Sequence, residues 1–320
     1  MELSVICVNW NSADYLRECL ASIDETTHEV AFEIIVVDNA SPSGDVGMVA
    51  EQFPQITLIK SATNLGFAGA NNLGFKHAAG DYVLFLNPDT KLIGPTIETM
   101  LGHIKTLPDA GVVGCKLLNS DLTVQLSSIQ KFPTILNQAL DAEYLRLRWP
   151  RCPLWEIAPL FADNITQLKV DVIPGACMLL RRSVFEQVGM FSEDYFMYAE
   201  DIDLNYKLRR AGFTNYYVGE TAIVHHGGGS SSRQELSQWA VVMKMNAMLL
   251  LFRATRGRAY GIAYRVAMGL VAASRLVMLA FVSLWRRALS RGRSSDVASQ
   301  KWRAVLNWSI GRQEPAVGER

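Results

Sequence analysis

Residues 3–38, LSVICVNWNSADYLRECLASIDETTHEVAFEIIVVD, contain a β–α–β unit in full. LSVICVN and FEIIVVD are short apolar runs rich in β-branched residues, bounded by Asn, Ser and Asp, as buried strands are. Between them Leu16, Leu20 and Ile23 recur at helical spacing, and Ser12 stands where an N-cap belongs. A crossover helix lets the two strands run parallel and lie beneath it. The alternation continues with a helix near 47–53, the strand ITLIK at 56–60, a helix over 67–79, the strand YVLFL at 82–86, a helix from Pro95 to about Thr106 and a strand from Gly111. The expected class is therefore α/β, with a mostly parallel central sheet flanked by helices.

Beyond this region the pattern weakens. From 119 to 169 no period holds and Pro133, Pro150, Pro153 and Pro159 interrupt the chain, which predicts an irregular insertion and an acceptor-side lid. VDVIPGACMLLRR at 170–182 returns to strand character. Helices are expected near 183–188 and 200–211, then a pair of strands near 216–224. GGGSSS at 227–232 reads as a hinge between a catalytic domain, 1–232, and a helical tail, 233–320.

With 49% hydrophobic and 19% charged residues, 320 residues can bury a full core. The zero net charge conceals an asymmetry: from Thr221 onward there are 15 Lys/Arg against 4 Asp/Glu. Basic residues mixed with apolar ones suit an anionic membrane surface better than nucleic acid. Five cysteines without a CxxC pair indicate neither a disulfide framework nor a zinc site, so a reducing cytoplasm is expected. MELSVICVNWN reads as a first strand rather than a signal peptide.

In open α/β sheets, ligands bind beyond the carboxyl ends of the strands. Those ends carry Asn9, Trp10 and Asn11, then Asp38 to Ser41, then Asn87-Pro88-Asp89. Asp38 could cap a turn or bind a nucleobase N–H or ribose. Asp89 could shape a turn or hold a divalent cation that bridges phosphates, since hard cations take oxygen ligands. Glu200-Asp201-Ile202-Asp203 opens a helix, where acidic residues favour the dipole; one of them could equally act as a base. His225-His226 before three glycines could ligate metal or simply lie at the surface.

Taken together, VICVNWNSADYLRECLASI, IIVVDNAS, NLGFAGANNLGF, YVLFLNPDT, IPGACMLLRRSVFEQVGMF, YFMYAEDIDLNYKLRRAGF and VHHGGGSS resemble the family 2 glycosyltransferases of the GT-A fold, most closely a rhamnosyltransferase-like branch. The resemblance covers residues 1–235. It implies an inverting transfer of one sugar from a nucleoside-diphosphate sugar to a hydroxyl of a saccharide or lipid-linked acceptor. dTDP-L-rhamnose is the expected donor, with UDP-galactofuranose, UDP-glucose and GDP-mannose as alternatives. It also implies a nucleotide pocket at Asn9, Trp10, Asn11, Asp38, Asn64 and Asn71, and a Mg²⁺ or Mn²⁺ ion on Asp89 and His225, with His226 as the alternative ligand. Asp201, beside Glu200, corresponds to the catalytic base, and Gly175 and Ala176 to the wall near the sugar. Where many relatives carry DxD this chain has Asn87-Pro88-Asp89, leaving one carboxylate for the metal, and Phe191-Ser192-Glu193 replaces an FDE stretch. GxGxxG and GxxxxGK[ST] are missing, which disfavours dinucleotide and P-loop enzymes. RQELSQW at 233–239 does not fit the QxxRW of processive synthases, so single addition is expected.

The tail contains MNAMLLLF at 245–252 and IAYRVAMGLVAASRLVMLAFVSLW at 262–285. Arg265 and Arg275 interrupt the longer run and disfavour a spanning helix, because Arg near a helix centre costs roughly 2.5–3.5 kcal/mol on insertion scales. An interfacial helix is expected instead, its arginines reaching lipid phosphates and Arg286, Arg287, Arg291 and Arg293 forming a basic cluster. The enzyme would then be cytoplasmic and peripheral on the inner face of the membrane. Packing on a second subunit is the competing role for the tail.

Overall fold

The computed structural model describes residues 1–140, 142–162, 164–227, 238–288 and 296–313. Its strands are β1 (Leu3–Asn9), β2 (Phe32–Asp38), β3 (Thr57–Lys60), β4 (Tyr82–Leu86), β5 (Thr90–Leu92), β6 (Ala110–Leu118), β7 (Gln167–Val170), β8 (Cys177–Arg181) and β9 (Thr214–His225). The helices are α1 (Ala13–Thr26), α2 (Val46–Gln52), α3 (Gly66–Phe75), α4 (Thr96–Thr106), α5 (Ile135–Ala139), α6 (Glu143–Arg148), α7 (Arg182–Gln187), α8 (Glu200–Arg210), α9 (Gln238–Arg256), α10 (Arg258–Ala288) and α11 (Asp296–Ser309). The chain forms two compact units. One comprises Met1–Phe132, Ala142–Phe196 and Glu200–Ser230; the other comprises Pro133–Asp141, Met197–Ala199 and Ser231–Arg320. The expected division at 232/233 and the hinge residues from Gly228 to Ser232 lie outside the described residues.

The first unit is built on one sheet in the order β3-β2-β1-β4-β8-β6-β9-β5, with β7 added on β9. β3, β2, β1 and β4 pair in parallel, as crossover helices require. β8 runs antiparallel between β4 and β6, and β5 and β7 are antiparallel to β9. The strand pair expected near 216–224 is instead the single strand β9. It pairs in parallel with β6 along both halves, across a register shift between Cys115 and Lys116. A bulge absorbs the irregularity that reads as a turn in the sequence.

One face of the sheet is covered by α1, whose Leu16, Leu20 and Ile23 are fully buried; each contributes about 1.5–3 kcal/mol. Ser12 precedes α1 but makes no side-chain cap bond, because its hydroxyl donates to Asn9 Oδ1 (3.0 Å). The other face holds an aromatic cluster in which Phe85 of β4 meets Phe185 at 4.8 Å and Phe191 at 4.9 Å between ring centroids. Such pairs contribute about 0.5–1.5 kcal/mol each. They support from below the strand that ends in Asn87 and Asp89. The same unit buries four free thiols, Cys7, Cys19, Cys115 and Cys177, and leaves Cys152 half-buried.

In the second unit, Tyr264, Met268 and Ala272 of α10 and Ala304, Val305 and Trp308 of α11 are buried. Arg265 and Arg275 of α10 do not extend outward as expected. Arg265 donates from Nη2 to Trp308 O (2.7 Å) and lies over the Trp308 ring, while Arg275 lies over Trp302. Carbonyls at the end of α11 are orphan acceptors that a guanidinium satisfies well, and indole faces attract cations. Ile262, Val266, Leu270, Val277, Phe281 and Trp285 are left exposed. Arg258–Trp285 includes an 18-residue window with a mean hydropathy of 2.0 and is long and apolar enough to cross a membrane by length and composition. Of the expected basic cluster, Arg291 and Arg293 and the side chains of Arg286 and Arg287 lie outside the described residues.

Candidate functional site

Parallel pairing aligns Asn9 with Asp38 at the carboxyl ends of β1 and β2. Asn9 Nδ2 donates to Asp38 Oδ1 (3.0 Å) and to Ser41 Oγ (3.2 Å), and its Oδ1 accepts from the Ser12 hydroxyl. Asn11 takes φ 52°, a left-handed conformation that Asn tolerates, and its N–H donates to Ser41 Oγ (3.0 Å). Trp10 Nε1 is buried without a hydrogen-bond partner. Asn64 closes the neighbouring loop: its Oδ1 accepts from Asn39 Nδ2 (2.8 Å) and from Gly66 N–H (3.0 Å). Asn71 is turned inward, donating to Phe67 O of its own helix (3.0 Å). Gly66 has φ 70°, and a Cβ there would lie 2.1 Å from Phe196 O, so only glycine fits.

At the end of β4, Asn87 N–H donates to Ala176 O (3.0 Å), continuing the β4–β8 ladder, in which Leu86 faces Cys177. Asp89 is 8% exposed, and β5–β9 pairing sets Thr90 against His225. Asp89 Oδ1 and His225 Nε2 consequently stand 3.4 Å apart. Gln125 clamps that histidine, with Nε2 donating to His225 O (2.6 Å) and Oε1 lying 3.0 Å from Nδ1. The first bond orients the amide, so its carbonyl oxygen accepts the Nδ1 proton and the Nε2 lone pair faces the carboxylate. Asn87 Nδ2 also lies 3.4 Å from Nε2, so carboxylate, imidazole and amide converge on one point; a carboxylate and an imidazole nitrogen so placed can share a cation, with the far-side hydrogen bond tuning the imidazole as a ligand. Among the described residues no group of three or more His, Cys, Asp or Glu could hold a metal, so a cation here would complete its shell with other oxygens. His226 faces Ser120 Oγ (2.9 Å) and the Tyr15 ring.

The third group lies on the other side of the ladder. Gly175 N–H donates to Asp201 Oδ2 (2.9 Å) and Ile202 N–H donates to Asp201 Oδ1 (2.8 Å), which fixes the carboxylate plane. A Cβ on Gly175 would come within 3.5 Å of Asp201 Cβ and 3.3 Å of the Phe67 ring. Glu200 is 6% exposed with Oε2 unpartnered, and burial, then the Asp201 charge, pushes its carboxyl well above the ordinary range. Asp203 points elsewhere: it accepts from the Ser192 hydroxyl (2.5 Å) and pairs with Lys207, locking the loop before α8.

Asn9, Asn11 and Asp38 thus form one group, Asp89 and His225 a second, and Asp201, Glu200 and Gly175 a third, with Ala176 joining the last two. Asn39 and Ser41 lie in the strand end at 38–41 that the sequence marks, without a role of their own there; Gln125 escapes the sequence reading. Gln125 lies in the aperiodic stretch after β6, where no local signal marks it.

The family model described as "Glycosyl transferase family 2" matches residues 4–189, and "Glycosyl transferase family group 2" matches 161–307. The chain is 30% identical over 262 residues to the N-acetylglucosaminyl-diphospho-decaprenol L-rhamnosyltransferase of Mycobacterium tuberculosis, an alignment spanning 78% of this chain and 84% of that one. The chain belongs to glycosyltransferase family 2. This transferase is also 27% identical to the rhamnosyltransferase WbbL of Escherichia coli K12, over 69% of its own length and 82% of the relative's. In fold it is similar to the mannosyltransferase PcManGT of Pyrobaculum calidifontis, solved with GDP-Man and Mn²⁺. The TM-score is 0.58 at 18% identity, covering 97% of this chain and 86% of that one. The fold is GT-A, and the transferase is rhamnosyltransferase-like.

Proposed function

We propose that this transferase moves a single L-rhamnosyl residue from dTDP-L-rhamnose, with inversion, to a hydroxyl of a saccharide or lipid-linked acceptor in cell-surface polysaccharide assembly. The observation that carries the reading is the β4–β8 ladder, which sets Asp201 and Gly175 on one side of Ala176 and the Asp89–His225 pair on the other. The names of the curated relatives support rhamnose as the sugar.

Asn9, Trp10, Asn11 and Asp38 would receive the nucleoside, with Asn64 shaping the loop beside them. Asp89 and His225 would hold a divalent cation, Mg²⁺ or Mn²⁺, which when bound offsets the charge of the departing nucleoside diphosphate. Asp201 removes the acceptor proton as the hydroxyl attacks the anomeric carbon, a contribution of about 10²–10⁴ in rate. Burial raises the Glu200 carboxyl well above the ordinary range, which suits it less to that role and favours the neutral form that adds no second charge beside Asp201. Two carboxyl groups in unlike surroundings divide the work in this way. Glycine at 175 leaves room for the sugar.

The exposed stripe Ile262, Val266, Leu270 and Phe281 supports a tail seated in the inner face of the cell membrane. A panel of dTDP-rhamnose, UDP-galactofuranose, UDP-glucose and GDP-mannose, scored for nucleotide release with and without a polyprenyl-diphosphate saccharide, tests the proposal. Acceptor-stimulated turnover of dTDP-rhamnose alone is expected; preference for any other donor would overturn the rhamnose assignment.

A further inference from the structure

The insertion between β6 and β7 places large apolar side chains on the outer surface of the catalytic unit. Tyr144 is 73% exposed, Trp149 53%, and Leu147 and Phe161 51% each. Their exposure is built in. Trp155 Nε1 donates to Trp149 O (2.7 Å) and Ala158 N–H to Pro150 O (3.0 Å), tying the end of α6 to the turn that carries Phe161. Beneath, Trp155, Ile157 and Leu160 fill the core, so the outer residues are not needed there. Tyr144, Leu147 and Arg148 are spaced to share one face of α6.

The charge around them is basic on balance: Arg148 and Arg151 are exposed, against the exposed Glu143 at the start of α6, and the Arg148 guanidinium lies 5.8 Å from the Trp149 ring centre. Glu156 is neutralised by Lys131. Trp and Tyr settle at the headgroup level of a bilayer, Leu and Phe enter the acyl boundary, and arginines meet lipid phosphates. We infer that residues 144–161 form a second lipid-contact surface, carried by the catalytic unit itself and selective for anionic phospholipid. It goes beyond the tail contact proposed above and does not depend on it.

The test uses the full chain with Cys152→Ser to remove the half-buried thiol, and an NBD fluorophore on either Tyr144→Cys or Met48→Cys. Met48 is equally outward, at 54% exposure, on α2. With phosphatidylcholine vesicles containing phosphatidylglycerol, the probe at 144 should shift to the blue and be quenched by nitroxide-labelled lipid, while the probe at 48 stays unchanged. Leu147→Glu with Trp149→Glu should lower vesicle binding at least about tenfold. An unchanged probe at 144 on protein that co-sediments with vesicles would leave the tail as the anchor and overturn the inference. So would a blue shift on raising protein concentration without lipid, which would mark a contact between copies. Failure to co-sediment at all would overturn both lipid contacts, whereas a response at 144 in a chain whose tail is dispensable would sustain this one alone.

Discussion

The two edges of the site satisfy their polar groups differently. At the β1–β2 edge, Asn9, Asp38, Ser41 and Ser12 hydrogen-bond to one another, as do Asn39 and Asn64 in the next loop. Across β4 and β8 ionisable groups crowd together instead, with His225 Nε2 3.4 Å from Asp89 Oδ1 and Glu200 buried beside Asp201 with Oε2 unpartnered. A closed network fixes shape before a ligand arrives, whereas an open one stores unfavourable electrostatics that a bound cation or a proton relieves. The first edge is suited to recognition and the second to chemistry.

The contrast breaks most visibly at the base. Asp201→Asn keeps the shape and one of the two backbone bonds, since its single amide oxygen can still accept from Gly175 or Ile202 N–H, so transfer should fall by about 10²–10⁴ while nucleotide affinity, read by calorimetry, changes less than about twofold. Retention of more than a tenth of the rate would remove Asp201 from the role. Next in size is the imidazole clamp: Gln125→Leu should weaken Mn²⁺ binding to the enzyme by about 10–100-fold, measured by electron paramagnetic resonance. Asp89→Ala should weaken it at least as much and flatten the metal dependence of turnover. Asp38→Ala, at the closed edge, should raise the donor dissociation constant about tenfold, as expected for one lost charged hydrogen bond, with the metal response intact.

A separate effect, on stability alone, depends on pH. Glu200 has its folded pKa raised above the unfolded value of 4.5, so the native state holds more protons than the unfolded state above that pH. Its contribution is therefore intact below pH 4.5 and is lost as pH rises toward the folded value, at up to about 1.4 kcal/mol per pH unit. Glu200→Gln should remove that slope in denaturant titrations between pH 4.5 and 7. A slope unchanged by the substitution would assign the burial penalty elsewhere. For the tail, truncation after residue 233 should abolish binding to anionic vesicles unless the 144–161 surface suffices alone.

The sequence made the closed edge more legible than the open one, for a physical reason. Strand ends in a β–α–β repeat are located by periodicity, and Asn9, Asp38 and Asp89 follow from it. Asp201 was marked by its helix start, though only the Gly175 bond distinguishes it from Glu200 and Asp203. Gln125 reaches His225 across 100 residues from an aperiodic stretch, and no local pattern encodes such a contact. Likewise β9 read as two strands because Gly219-Glu220-Thr221 resembles a turn until β6 is seen to pair with both sides. The arginines of α10 read as lipid-seeking because their partners, Trp302 and Trp308, lie on another helix.

The buried thiols lie close to the site floor: Cys19 Sγ is 3.5 Å from Thr90 Oγ1, and Cys115 Sγ is 3.8 Å from Cys177 Sγ. Hydrogen bonding to Cys19, then burial, pushes the Cys7 thiol up, and hydrogen bonding to Cys115, then burial, does the same for Cys177. All four are shielded by burial, and the raised Cys7 and Cys177 thiols resist alkylation further, since only the thiolate is the nucleophile. The folded enzyme therefore carries an internal clock. Iodoacetamide should modify Cys152 first, and the later labelling of the other four should time the opening of the sheet that supports catalysis.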